Sequence, residues 1–262
     1  YINSPIRYAW DMEEQYIKES NIKGLKKIML KYSLHKIRMW DIASSYRVDH
    51  FISNSNFIKA RVEKYYRRES DVLNPNIDID YFIQEKDESK KSDYFFTIAR
   101  HVPYKKIDLI IEAFNQMPDK KLIVGGSGEQ TEYLKEIAGP NITFTGHIKR
   151  EELRSYMQNA KAFIYAALED FGIVMGESLS AGTPVIAYGK GGSRDIVKDK
   201  SEYIDATGIL FPDQSKESLI NAVNDFCNNE KIFNTENCIN SVQHLSAENF
   251  RTSFQKIVEK LL

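Results

Sequence analysis

The chain has 262 residues, 42% of them apolar, and a formal net charge of -1. That apolar content supports a packed core and excludes a disordered chain, and the length allows one large domain or two smaller ones. The near-zero charge gives no global pull toward nucleic acid, the two cysteines (Cys227 and Cys238) fit neither a disulfide framework nor a metal site, and no apolar run is long enough to span a bilayer.

The sequence opens at Tyr1 in Tyr-Ile-Asn-Ser-Pro, which reads as the end of a buried strand entering a turn. The expectation is a first domain whose opening part lies upstream. Residues 12–48 are mostly helical in pattern, with Leu25, Ile28, Met29, Tyr32 and Met39 near helical spacing. Between Glu19 and Asp41 stand six basic residues (Lys23, Lys26, Lys27, Lys31, Lys36, Arg38) and no acidic one. Such a helix either presents a solvated basic face or rests on anionic lipid. A short strand at 48–52 and a helix at 55–66 follow. Residues 74–82 are rich in turn formers and 84–93 are highly charged, so the domain junction is placed there. Residues 1–82 then form the carboxyl-side part of a first domain with its linker. Asp78-Ile79-Asp80 spells a short acidic pattern able to hold a divalent ion, but it falls in that linker, and no metal site is assigned.

After residue 93 the pattern becomes regular. Strands are predicted at 94–99, 121–124, 142–145, 162–166, 184–188 and 208–211. Helices are predicted at 107–115, 129–138, 150–158, 172–181 and 216–228. This alternation predicts an α/β fold with a parallel sheet covered on both faces, spanning 83–240. A last helix at 247–262, within a segment 241–262, is expected to cross back to the first domain. Ligands of such sheets bind at the carboxyl ends of the strands.

Three loops at that edge carry chemistry. Arg100 and Lys105 follow the first strand, where two cations could hold a diphosphate and stabilise its departure, or could be ordinary surface charges. Gly125-Gly126-Ser127-Gly128 lacks the third glycine of a dinucleotide fingerprint. It reads either as close backbone approach to a ligand or as a tight strand-to-helix turn; Gly189-Lys190-Gly191-Gly192 leaves the same choice. His147 follows another strand near the same edge. Glu169 and Glu177, with seven residues between them, flank a helix opening near Gly172. The helix start favours anions, and the carboxylates accept hydrogen bonds from hydroxyls. A ligand with both phosphate and hydroxyls, such as a sugar nucleotide, fits. Ser178 has no glycine-flanked elbow, so a serine hydrolase is poorly supported.

In order and spacing, Asn3–Asp11, Arg47–Ser55, Ile98–Lys105, Asn141–Gly146, Glu169–Glu177 and Ala181–Ala187 resemble the family 4 retaining glycosyltransferases of the GT-B fold. Within that family they resemble the mannosyltransferases of surface polysaccharide synthesis. The resemblance implies two Rossmann-like domains, a complete carboxyl-side donor domain and an acceptor domain only partly present. It implies a metal-independent, cofactor-free enzyme moving a hexose, mannose from GDP-mannose, to a glycan or lipid-linked glycan acceptor. Arg100 and Lys105 would hold the donor diphosphate, Glu169 the sugar hydroxyls and Glu177 the ribose. The amides of Phe171, Gly172 and Ile173 would meet sugar and phosphate, with Gly126 also lining the donor site. Asn3 stands where many relatives carry histidine, and Ala166 and Met175 where proline is common. Lys149 and Arg150 lie near the expected base pocket and leave GDP- or UDP-linked donors open. The implied location is cytoplasmic, with helix 23–38 as a peripheral contact at the membrane face. The alternative is a nucleotide-sugar binding module without transfer activity.

Overall fold

The computed structural model describes residues 1–19, 22–83 and 92–261. The chain divides into two compact units, Tyr1–Asn74 and Pro75–Leu262.

The first unit contains a 3-10 turn Arg7–Ala9, helices α1 (Glu13–Glu19) and α2 (Gly24–Ser45), strand β1 (Phe51–Ser53), helix α3 (Asn56–Tyr66) and strand β2 (Ser70–Val72). The two strands are parallel, with Phe51 opposite Ser70, and Ile2 bridges Ser53 in the same sense. Ser55 caps α3 by accepting from the Ile58 amide at 3.1 Å. Phe51, Ile58, Val62 and Tyr66 form one core cluster, and Ala9, Ile17 and Leu34 another. The buried Asp41 accepts from Trp10 Nε1 and Tyr66 Oη, each at 2.8 Å, so its buried carboxylate is satisfied. Burial and the adjacent carboxylate push the Tyr66 phenol up.

The second unit opens with α4 (Ile79–Ile83), then alternates. In order come β3 (Phe95–Ile98), α5 (Ile107–Asn115), β4 (Leu122–Gly125), α6 (Thr131–Ile137), β5 (Ile142–Gly146), α7 (Arg150–Asn159) and β6 (Phe163–Tyr165). They are followed by α8 (Ile173–Ser180), β7 (Val185–Tyr188), α9 (Ser193–Ile196), β8 (Gly208–Phe211), α10 (Lys216–Asn228), α11 (Thr235–Ser241) and α12 (Ala247–Glu259). All six strands, β3 to β8, are parallel, in spatial order β5-β4-β3-β6-β7-β8. The alternation of side chains explains the two covered faces. Phe95, Ile164 and Ile186 join a cluster with α5 and α10, while their neighbours Phe96, Phe163, Tyr165, Val185 and Ala187 join one with α8 and α11. The chain runs outward from β3 to β5, returns, and runs outward again from β6 to β8. The switch point therefore lies between β3 and β6.

Residues 75–82, read from sequence as part of the first domain and its linker, pack in the second unit. Ile77, Ile79 and Phe82 are buried in its core, and the Ile77 amide donates to Leu245 O at 2.8 Å. The charged stretch 84–93 lies outside the described residues up to residue 91. The helical reading of 12–48 resolves into α1 and α2. Four short elements, β2, α4, α9 and α11, were not read from sequence.

Candidate active site at the sheet switch point

β3 hands over to a loop that ends in a 3-10 turn, Pro103–Lys105, and Lys106 takes a left-handed conformation (φ 56°) to start α5. Lys105 thereby turns back over the end of β6. Its Nζ donates to Tyr165 Oη at 3.0 Å and pairs with Glu169 Oε1. Tyr165 Oη in turn donates to Glu169 Oε1 at 2.8 Å. The two charged side chains are 18% and 16% exposed, sheltered enough to strengthen the pair yet open to a ligand. Both bonds land on Oε1; Glu169 Oε2 has no hydrogen-bond partner among the described residues. The Lys105 ammonium also lies 5.4 Å from the Tyr104 ring centre and 5.7 Å from that of Tyr165.

Arg100, exposed on the same loop, makes no ion pair or side-chain hydrogen bond among the described residues. The loop beneath it is fixed by His101, which is fully buried. His101 Nε2 meets Gly125 O at 3.2 Å and Nδ1 meets Thr131 Oγ1 at 3.0 Å. A carbonyl only accepts, so Nε2 carries a proton, while the Thr131 hydroxyl beside Nδ1 also lies 2.8 Å from Gly128 O, to which it donates. Burial lowers the imidazole pKa, and Lys135 adds to the effect. The glycines of the β4 loop serve this seating. A Cβ on Gly126 would lie 2.0 Å from Ala99 O, and one on Gly128 2.4 Å from His101 O. Gly126 thus accommodates the neighbouring loop.

The second glycine run clamps the acidic segment. Gly192 N donates to Glu169 O at 2.9 Å, and Gly191 bridges Glu169. A Cβ on Gly191 would come within 2.4 Å of Glu169 O, and one on Gly192 within 2.3 Å of Phe171 Cα. Phe171 is buried in the core, which leaves only its backbone for a ligand. Gly172 (φ 101°) makes the turn into α8 without a side-chain cap. The first amides of α8, Ile173 included, therefore start a helix at the sheet's carboxyl edge, where the dipole favours an anion.

Glu177 sits one turn further along α8, half-buried, in a different neighbourhood. Burial raises its carboxyl pKa, Arg150 counters this and Asp78 adds to it. Arg150 pairs with Asp78 and lies 4.2 Å from the Tyr81 ring centre. Asp78 is thus held by a cation. Among the described residues no three His, Cys, Asp or Glu side chains come together as a metal site. His147 is exposed. The structure joins Lys105 to Glu169 directly and sets Arg100, Gly126 and the Phe171–Ile173 turn along the same edge. Tyr165 and His101 had escaped the sequence reading. The only signal for Tyr165 is a phenol closing an otherwise apolar strand four residues before Glu169.

Residues 78–243 match the family described as Glycosyl transferases group 1. The alpha-1,3/1,6-mannosyltransferase ALG2 of Kluyveromyces lactis is 25% identical over 271 residues, covering 82% of this chain and 54% of that protein. The chain thus spans about half the length of this curated relative. A GDP-mannose-dependent alpha-(1-6)-phosphatidylinositol monomannoside mannosyltransferase of Mycobacterium tuberculosis is 27% identical over 143 residues, 48% of this chain and 36% of that one. Among solved structures, Anabaena HepE in complex with UDP and glucose superposes with a TM-score of 0.70 at 19% identity, covering 86% of this chain and 66% of that one. That likeness carries the fold.

Proposed function

Because the chain belongs to the Glycosyl transferases group 1 family, we propose that it is the donor-binding part, with a portion of the acceptor domain, of a retaining, metal-independent hexosyltransferase. The observation that carries this is the Lys105–Tyr165–Glu169 cluster at the switch point. There the ammonium can pass from the carboxylate to a diphosphate while Glu169 turns to sugar hydroxyls. The bond from the anomeric carbon to the phosphate oxygen breaks, its electron pair staying with the phosphate. Arg100, Lys105 and the α8 amides take up the growing charge. That oxygen then accepts the proton of the acceptor hydroxyl, whose own oxygen bonds to the anomeric carbon on the same face. Glu177 holds the ribose.

Mannose is the proposed sugar and GDP the proposed carrier. Two relatives are named mannosyltransferases, one of them GDP-mannose-dependent, whereas HepE was solved with UDP. The proposed acceptor is a glycan or a lipid-linked glycan. The proposed setting is the cytoplasmic face of a membrane, touched through the basic helix α2. Among the described residues no helix is long and apolar enough to cross a membrane.

A thermal-shift panel of GDP-mannose, UDP-glucose, UDP-N-acetylglucosamine, GDP and UDP tests the donor. A ligand at a hundred times its Kd stabilises by about 2.7 kcal/mol. GDP-mannose should raise the Tm most, and no response to any nucleotide sugar would overturn the proposal. Calorimetric binding without sugar transfer would instead identify a binding module.

A further inference from the structure

The loop after β8 reaches across the carboxyl edge of the sheet. β7 lies between β8 and β6 in the strand order, yet Gln214 spans it: its Nε2 donates to Ala166 O at 2.7 Å. Only the NH2 of a side-chain amide can face a carbonyl in this way. Ala166 needs that donor. It is fully buried, and the pairing of β6 with β7 ends one residue earlier, at Tyr165 opposite Ala187. Outside the strand ladders no backbone amide among the described residues donates to its oxygen, and a buried carbonyl left without a donor is costly. Gln214 is firmly mounted. The next residue, Ser215, caps α10 by accepting from the Ser218 amide at 3.2 Å, and its own amide donates to Asp213 O at 2.7 Å.

We infer that Gln214 is a positioning residue for the sugar-binding carboxylate, acting through the backbone between Tyr165 and Glu169. The inference rests on the donor-site reading proposed above and adds to it a residue from a third strand end. Ala166, Ala167 and Leu168 separate the phenol from the carboxylate it holds. Their path decides whether Tyr165 Oη and Glu169 Oε1 meet at 2.8 Å. The far end of that path is clamped by the β7 loop, where Gly192 N donates to Glu169 O at 2.9 Å. The near end is clamped by Gln214. The loops after β6, β7 and β8 are thus tied to one another around Glu169. A methionine at 214 keeps the length and most of the packing but gives Ala166 O no donor. The carbonyl then turns toward another partner, and the phenol, the carboxylate and the Lys105 ammonium lose their register.

Calorimetric titration of the full chain reads the sugar separately from the nucleotide. GDP-mannose is compared with GDP, and UDP-glucose with UDP; the gain in affinity within a pair measures what the sugar adds. Gln214→Met should cut that gain roughly fivefold, on the order of one hydrogen bond, while affinity for the free diphosphate stays within about twofold. Gln214→Glu, which also lacks the NH2, should cut it at least as much. In a Glu169→Ala background Gln214→Met should remove nothing further, because a residue that acts through Glu169 has no route left. Equal losses for sugar-bearing and sugar-free ligands would mark a general loosening of the fold. A loss that adds to that of Glu169→Ala would mark a separate route. Either result, or an unchanged gain in both Gln214 variants, overturns the inference and leaves the donor-site reading standing. If wild type binds neither nucleotide sugar, or gains nothing from either sugar, Glu169 is not a sugar ligand; the donor-site reading then falls, and this inference with it.

Discussion

At the scale of residues, the site stores its working charge as an internal pair. Lys105 and Glu169 neutralise each other while Tyr165 holds both ends. In the proposed mechanism a diphosphate draws the ammonium away, and the phenol then keeps Glu169 in place. Lys105→Ala should therefore lower kcat/KM by about 2–4 kcal/mol of transition-state stabilisation, on the scale of a lost oxyanion donor. Tyr165→Phe keeps the packing and removes only the tether. Its expected loss is smaller, about tenfold, on the order of one hydrogen bond. Steady-state kinetics on both variants checks the ranking, and a Lys105→Ala enzyme with wild-type turnover would refute it. Glu177 carries a second prediction. Burial raises its folded-state pKa above the ordinary 4.5. The folded state thus holds the proton more tightly, and the associated stability is present below 4.5 and lost as pH rises through the folded value. Glu177→Gln should melt above wild type at neutral pH, with the gap closing in acid. The same variant should bind the nucleotide more weakly. Melting curves across pH and a titration with GDP separate the two effects.

At the scale of elements, the rim works because one loop lies on another. The β3–α5 loop sits on the β4–α6 loop through His101, whose pKa is lowered by burial from the ordinary 6.5. For a group so depressed, the stabilisation is present above 6.5 and lost as pH falls through the folded value. Acid should loosen the seat under Arg100. Donor affinity should then fall below pH 6.5 in wild type, while His101→Gln binds more weakly at neutral pH and varies less with pH; titrations of the two proteins across pH compare them. The six strands were legible in the sequence because each is a short apolar run between turn signals, and their parallel sense followed from the alternation of strand and helix, whereas their spatial order came only from the fold. Lys105 and Glu169 were legible as chemistry because charged residues follow strands. Three things were not. Elements of three to seven residues, such as β2, α9 and α11, are too short for periodicity to mark. The glycine runs announced turns, but whether a Cβ would strike a ligand or a neighbouring loop depends on which loop lies above, and that is a tertiary fact. Tyr165 reads as core until its hydroxyl is found at the sheet edge.

At the scale of the molecule, the chain holds two units with separate cores and unequal duties. The proposed donor site lies wholly within Pro75–Leu262, while both tryptophans, Trp10 and Trp40, fall within Tyr1–Asn74. Trp10 stacks on Tyr65 at 4.7 Å and donates to Asp41, so its emission reports the folding of the first unit. A nucleotide sugar that binds only the second unit stabilises that unit by mass action and gives the first nothing. Calorimetry with saturating GDP-mannose should therefore move the transition of the larger unit upward, while the tryptophan-monitored midpoint stays in place. Such a split also shows that the chain does not unfold as one two-state body. If both probes rise together by the same amount, donor binding couples the units. The free energy of nucleotide capture would then be available to organise the acceptor side, a property that neither core has by itself.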